Sequence, residues 1–171
     1  MENFESVLFK CFYLLNFDFK TFLEEQNDRL IFQKYGLFLD EIFGLSIGRY
    51  SLYIHGPYNP SLASVGYRIA TNLAFFRNHD NIVLKETAIQ ILHSLRNTFE
   101  PTITTEGTRV IETFSTFYYL LKKEHLDEDQ AILKTIRIKG HLFEDGYNLE
   151  QEILRIRNSL RIQNTTEYNI I

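Results

Sequence analysis

The sequence predicts a mostly α-helical fold with a small β element. Apolar residues recur at helical spacing along most of the chain, whereas a two-residue alternation is confined to the stretch from Tyr50 to His55. Helix-capping patterns begin at Asn59, Asp127 and Asn148. With 171 residues, of which 44% are hydrophobic and 15% aromatic, the chain fits a single domain with a well-filled core.

Charge and cysteine content exclude several classes of protein. A net charge of -4 and a pI near 5.7 argue against a nucleic-acid binder that works mainly by electrostatics. The single Cys11 lies in an apolar run, which favours a buried structural thiol and a reducing compartment. No run approaches the roughly 20 apolar residues that a membrane helix needs. We therefore expect a cytoplasmic protein with no membrane partner.

The first elements are two helices. One is predicted from Phe4 to about Leu15, and a second is predicted from a cap at Asp28 to about Phe43. Gly44 and Gly48 end the second helix. Its apolar residues form an amphipathic stripe: Ile31, Tyr35, Phe38, Leu39 and Ile42.

The stretch from Arg49 to Leu62 predicts a strand, a rigid turn and a capped helix in close succession. The alternation from Tyr50 to His55 is typical of a strand with two different faces. Gly56-Pro57 is expected to break it as a structural turn, because Gly accepts turn geometry and Pro cannot donate to a ladder. Asn59-Pro60 then opens a helix whose apolar residues continue to Phe76.

The rest of the chain predicts four further helices. The first is expected to stop at Glu100-Pro101, because the residue before Pro avoids helical geometry. The stretch 102–107 is therefore predicted as a seam between a half spanning 1–100 and a helical half spanning 105–162, within one domain of residues 1–171. The polar tail 163–171 is expected to be loose, with Ile170-Ile171 available to a partner.

No motif for catalysis, metal binding or cofactor binding emerges. The five histidines are scattered, no phosphate-binding glycine loop is present, and no nucleophile elbow occurs. Acidic clusters such as Asp40-Glu41 lie at predicted helix ends or solvent faces, where capping and solubility explain them. We therefore expect no enzyme activity, no metal and no cofactor.

Two surfaces are candidates for nucleic-acid binding. On the helix that begins at Pro60, Arg68 and Arg77 accompany the aromatic Tyr58, a combination that grips phosphates and bases. The last two helices carry further basic residues: Lys134, Arg137, Lys139, Arg155, Arg157 and Arg161. The alternative interpretation of both sets is solvated charges beside core tyrosines.

Aromatic residues also indicate a protein partner. Fifteen Phe and ten Tyr exceed what one small core needs, and interfaces are enriched in such residues. The candidate contributors are Phe9, Phe12 and Tyr13 on the first helix, and Tyr119 on the helix around Phe117-Tyr118-Tyr119. The alternative is that these aromatics fill the seam between the two halves.

Three stretches resemble a known family. They are Phe32-Gln33-Lys34-Tyr35-Gly36-Leu37-Phe38-Leu39, the Tyr50 to Leu62 stretch, and Ile111-Glu112-Thr113-Phe114-Ser115-Thr116-Phe117-Tyr118-Tyr119-Leu120. All three resemble the YwgA-like group of small bacterial and archaeal proteins, and Lys139 stands where that group has a Lys in its second half. Gly56-Pro57 is more distantly similar to the SocA-like (Panacea) antitoxin domain. His55 and Asn59 depart from the family pattern, which has Tyr or Arg and Ser there.

The resemblance implies a winged-helix-like N-terminal half followed by a packed layer of helices. It also implies a setting of regulation, toxin neutralisation or phage defence, and it carries over no catalytic residue. We expect a non-catalytic module that binds a partner protein, either an effector or toxin encoded by a neighbouring gene or a second copy of the chain. The alternative is a winged-helix regulator that binds DNA.

Overall fold

The structure, a computed structural model, describes residues 2–78, 81–160 and 170. Helices account for most of these residues and two short strands form the only sheet among them, which confirms the mostly α fold with a small β element. The elements are α1 (Glu2–Leu14), α2 (Gln26–Phe43), β1 (Ser51–Tyr53), β2 (Gly56–Tyr58), α3 (Pro60–Thr71), α4 (Leu73–Asn78), α5 (Glu86–Glu106), α6 (Arg109–Lys122), α7 (Glu128–Lys139), a 3₁₀ turn (Gly140–Leu142) and α8 (Leu149–Leu160).

Helices α2 and α6 form the centre of the molecule. Residues 32–40 of α2 and 110–118 of α6 are buried all round, and the two helices pack against each other. Helix α3 and the hairpin cover α2, while α5, α7 and α8 cover α6. The amphipathic stripe predicted for α2 is therefore only part of its buried surface, because neighbours lie on several sides of it.

One cluster of buried apolar side chains runs through both halves of the sequence. The Phe12 and Phe32 rings stack at 4.3 Å between α1 and α2, and the Phe38 and Phe99 rings stack at 5.4 Å between α2 and α5. Aromatic pairs at these separations stabilise a core beyond their buried area. Much of the aromatic surplus is therefore used inside the molecule.

Three of the predicted caps are confirmed, but the cap predicted at Asp28 is wrong: α2 begins at Gln26 after Glu25, which makes no side-chain cap bond, and Asp28 lies inside the first turn. Asn59 Oδ1 accepts from the Ser61 and Leu62 amides at the start of α3, and Asp127 Oδ1 accepts from the Gln130 amide at the start of α7. Asn148 caps α8 in the same way through the Gln151 amide. Gly44 ends α2 in the left-handed conformation, with φ of 61°.

The stretch around Gly56 is a hairpin, so the prediction of a strand broken by a Gly-Pro turn is wrong. Strands β1 and β2 pair antiparallel in the register Ser51↔Tyr58, Leu52↔Pro57 and Tyr53↔Gly56, and Ile54 and His55 form the connection. Pro57 is tolerated in β2 because each strand of a two-stranded sheet is an edge strand.

Two predicted helix boundaries are also wrong. Helix α5 continues through Pro101 to Glu106, so the seam predicted at 102–107 is mostly helix. The hydroxyl groups of Thr104 and Thr105 donate to the Pro101 carbonyl, and the apolar face of α5 stays packed on the core. Helix α3, in contrast, ends at Asn72, whose side-chain amide donates to the Arg68 carbonyl and competes with the helical pattern.

The predicted loose tail lies almost wholly outside the described residues. Ile170, which is described, is buried in the protein's own core, and its carbonyl accepts from the Lys85 amide at 3.2 Å. It therefore does not provide the exposed docking residue that the sequence predicted.

Candidate interaction site

Two buried lysines hold the hairpin from its inner side. Lys34 of α2 donates to the Pro57 carbonyl at 2.9 Å, and Lys139 of α7 donates to the Ile54 carbonyl at 2.6 Å. Each lysine is 1% exposed. An isolated two-stranded hairpin is marginally stable in water, so these bonds from two different helices fix its position and its tip.

One carboxylate lies among these cations. Glu112 of α6 accepts from Lys139 Nζ at 2.5 Å, and its other oxygen lies 3.7 Å from His55 Nδ1 at the hairpin tip. Burial lowers the pKa of the Lys34 ammonium to about 7, Glu112 acts in the opposite direction, and the neighbouring Lys139 lowers it further. Lys139 and Glu112 thus form the ion pair, while Lys34 gains or loses its proton near pH 7.

The side-chain amide of Gln33 joins β2 to α2 a second time. Gln33 Nε2 donates to the Asn59 carbonyl at 3.1 Å, and Gln33 Oε1 accepts from the Asn59 amide at 2.9 Å. Because Asn59 also caps α3, the end of the hairpin and the start of α3 are fixed by the same residue.

Two features of this site, the backbone conformation and the close packing, require glycine at position 56. Its φ of +86° is a conformation that L side chains rarely adopt, and a Cβ there would lie 2.9 Å from Thr116 Oγ1 and 3.4 Å from Lys34 Nζ. The glycine therefore lets the hairpin approach α6 closely enough for Lys34 and Lys139 to reach backbone carbonyls of the hairpin.

The outer side of the hairpin is apolar and exposed. Ile54, at the tip, is 84% exposed, and Tyr53 is 58% exposed. The Tyr53 and Tyr58 rings meet edge to face at 5.5 Å, with Tyr58 also partly open to solvent. This outer surface of Tyr53, Ile54 and Tyr58 is named the tip face below. A rigid aliphatic tip beside two aromatic rings has the composition of an interface centre.

The residues predicted for nucleic-acid binding do not form one surface. Tyr58 belongs to the tip face, whereas Arg68 lies on α3 and pairs with Glu5 of α1 at 2.6 Å. Arg77 is not on the Pro60 helix at all, because α4 is separate, and it lies 3.8 Å from Asp18. Each arginine thus already has a carboxylate neighbour.

Several basic residues of the last two helices are also paired, whereas Arg137 is exposed. Lys134 pairs with Glu124 at 2.6 Å, and Arg157 pairs with Glu128 at 2.7 Å. Lys139 is buried, so its placement on an exposed basic face is wrong. Arg161 lies outside the described residues.

The residues predicted for partner binding divide in two. Phe9 and Phe12 are buried in the core, so they are not part of an exposed patch, and the interpretation that these aromatics fill the interior applies to them. Tyr13 is 64% exposed on α1, and Tyr119 on α6 is partly buried. Neither residue belongs to the tip face, which consists of Tyr53, Ile54 and Tyr58.

In the described part of the chain, the candidate reactive groups outside the hairpin are buried or already bound. Burial raises the pKa of the Cys11 thiol to about 12, which makes it inert. Asp40, expected at a solvent face, is buried and accepts from the Ile47 amide at 3.0 Å. Among residues 2–78, 81–160 and 170, no group of three metal-ligating side chains is found. A polar groove of about 630 Å³ lies between α5 and α8, but its Arg155 is bound to Glu152.

The residues that hold the hairpin were not assigned that role from the sequence. Lys34 entered only through the family resemblance, Lys139 entered through that resemblance and as one of the basic residues of the last two helices, and Ile54 entered only as part of a strand. One signal was available: Lys34 lies between Phe32, Tyr35 and Phe38, where a charge on an apolar helix indicates a buried partner. That partner, a backbone carbonyl 23 residues away, has no sequence signature.

Comparisons with family models, with curated proteins and with solved structures gave no match to this chain. The site is therefore assigned from its geometry. No helix in the described residues combines the length and apolarity that crossing a membrane would take.

Proposed function

We propose that this chain is a non-catalytic interaction module that binds a partner protein through the tip face. The observation that carries the proposal is Ile54, an aliphatic side chain 84% exposed at the end of a hairpin that two buried lysines hold in place. Burying one such side chain contributes about 1.5–3 kcal/mol to an association.

Preorganisation supports the same function. Ordering a loop on binding costs free energy, and the bonds from Lys34 and Lys139 reduce that cost because the hairpin is already fixed. Ser51 and His55 surround the tip face with polar groups, as in the polar rim of an interface.

Charge favours a protein over a nucleic acid as the partner. The net charge is -4, and Arg49 is the one Lys or Arg in residues 49–58, so the hairpin offers little basic charge to meet phosphates. Membership of the YwgA-like group, with a distant relation to the SocA-like (Panacea) domain, is part of this proposal. It makes the partner an effector or toxin that the chain restrains, in regulation or phage defence.

The test uses a photo-crosslinking amino acid in the full chain, expressed in its source cells. We expect the group at position 54 to capture one protein, and the same group at Leu133, which is 66% exposed on α7, not to capture it. Ile54→Asp should abolish co-purification of that protein, while Leu133→Asp should not. Equal capture at both positions, capture of nucleic acid at 54, or co-purification that survives Ile54→Asp would contradict the proposal.

A further inference from the structure

The two edges of the hairpin differ in how their backbone groups are satisfied. On the β2 edge, side chains of α2 take the place of a third strand: Lys34 donates to the Pro57 carbonyl, and Gln33 bonds to both the amide and the carbonyl of Asn59. The β2 edge is therefore closed by the protein itself.

The β1 edge faces the other way. Opposed residues in an antiparallel pair alternate between pairs that exchange two hydrogen bonds and pairs that exchange none. Pro57 has no N–H, and its carbonyl is bound to Lys34, so Leu52↔Pro57 is a pair without mutual bonds. The N–H and C=O of Leu52 consequently point away from β2.

The register extends this argument by one pair. Continued one residue beyond β1, the register places Tyr50 opposite Asn59, whose amide and carbonyl are both bound to Gln33, so the backbone groups of Tyr50 also point away from β2. Apart from bonds within the hairpin, no backbone hydrogen bond to the N–H or C=O of Tyr50 or Leu52 is found in the described residues. Tyr50 is only 5% exposed, so the outward N–H and C=O of the partly buried Leu52 are the accessible part of this strand edge.

The side chains along β1 suit a polypeptide with a negative charge. Arg49, Ser51 and Tyr53 are exposed, whereas Tyr50 is buried and Leu52 partly buried, which is the alternation of a strand with one solvent face. Arg49 has no acidic partner among the residues that the structure describes. Arg49 precedes Tyr53 by four residues, which corresponds to about 13 Å along the strand at roughly 3.3 Å per residue.

We propose that the outer edge of β1 pairs with an extended segment of the partner protein, which adds a third strand to the hairpin. A carboxylate of that segment meets Arg49, and an apolar side chain packs against the tip face. A second copy of this chain is disfavoured as the occupant because residues 44–61 contain no Asp or Glu to meet Arg49. This inference rests on the function proposed above.

The test uses a displayed library of random twelve-residue peptides, selected on the full chain and counter-selected on the Ile54→Asp variant. Each backbone nitrogen of the best synthetic peptide is then methylated in turn. We expect affinity to fall about tenfold at the peptide residue whose N–H faces Leu52 and to stay within about twofold at its two neighbours, because neighbouring N–H groups of an added strand point away from β1. The peptide should be acidic, and Arg49→Glu should weaken it about tenfold, whereas the matched exposed arginine variant Arg137→Glu should not.

The outcomes separate the two proposals. Peptides that require Ile54 but tolerate methylation at every position, or lose affinity at consecutive positions, would overturn strand addition and leave the interaction function standing. A library that yields no Ile54-dependent peptide would overturn both. A chain that is dimeric by light scattering and becomes monomeric on Arg49→Glu would overturn the assignment of the edge to a different protein.

Discussion

Lys34 and Lys139 lie in one buried region with a single carboxylate, Glu112, to balance them. A buried charge without a partner is costly, and the two lysines meet this constraint differently. Lys139 pairs with Glu112 at 2.5 Å, whereas burial lowers the pKa of Lys34 to about 7, so that Lys34 donates to Pro57 with a charge that changes near neutral pH. The hairpin is thus held by one lysine in an ion pair and by a second lysine whose charge depends on pH.

The Lys34 pKa predicts a dependence of stability on pH. Between about pH 7 and its ordinary value of 10.5, an unfolded Lys34 keeps its proton while the folded one loses it, so the free energy of unfolding rises with pH. From pH 6.5 to 8.5 we expect a rise on the order of 1–2 kcal/mol in the wild type relative to Lys34→Met, measured by urea denaturation.

The pH range is limited so that a second titrating group does not contribute, and a second variant tests the neighbouring ion pair. Measurements stop at pH 8.5 because the raised pKa of Cys11 makes stability fall as the unfolded thiol ionises above about pH 9. Lys139→Met should cost about 3–5 kcal/mol, because it removes the ammonium that pairs with the buried Glu112 at 2.5 Å. A pH profile identical in wild type and Lys34→Met would show that Lys34 is not the titrating group.

Gly56 supplies a second prediction at the residue scale. Gly56→Ala should destabilise the protein by about 2–4 kcal/mol, because it combines backbone strain at positive φ with an overlap against Thr116. Gly146→Ala is the matched control: its φ is +91° but nothing lies within 4 Å of the added Cβ, so it carries the backbone strain alone and about 1–2 kcal/mol is expected. Equal losses for both variants would remove the close approach of β2 to α6 from the explanation.

In helix α5, packing against the core outweighs the tendency of Pro101 to end the helix. The helix buries Leu92, Leu95 and Phe99 before Pro101, and it continues because Ile103 still packs against the core. The proline sits on the exposed side, where the carbonyl that loses its partner, that of Asn97, lies near solvent.

Pro101→Ala tests this explanation. Restoring the N–H to the Asn97 carbonyl should raise the free energy of unfolding by about 1–3 kcal/mol, less than the full cost of an interior proline because the unfolded chain also gains freedom. The measurement is the shift in the urea midpoint at constant slope. A lower midpoint would mean that Pro101 is accommodated by contacts that alanine loses.

The whole molecule has one core, which predicts how it unfolds. Helix α2 belongs to the half 1–100, helix α6 belongs to the half 105–162, and the two pack against each other at the centre of the core. Neither half therefore retains a complete core alone. We expect helical circular dichroism and tyrosine fluorescence to report one coincident urea transition. Two separated transitions would show that the halves 1–100 and 105–162 fold independently.

The sequence by itself determined the local elements of this protein. Helical periodicity and short-range capping, as at Asn59 and Asp127, depend on residues within a turn or two of each other, so the pattern contains the physics that forms them. The mostly α fold with one small β element followed from these signals. The burial of Cys11 followed in the same way from its apolar run.

Only the tertiary structure decided the candidate site. Lys34, Glu112 and Lys139 come from three helices far apart in sequence, and two of their bonds end on backbone carbonyls, which every residue has. Whether Phe12 is buried and Ile54 exposed depends on which helices cover each face, and α2 shows that a helix can be covered on all sides. Burial and long-range bonding are properties of the packed chain, and local patterns do not contain them.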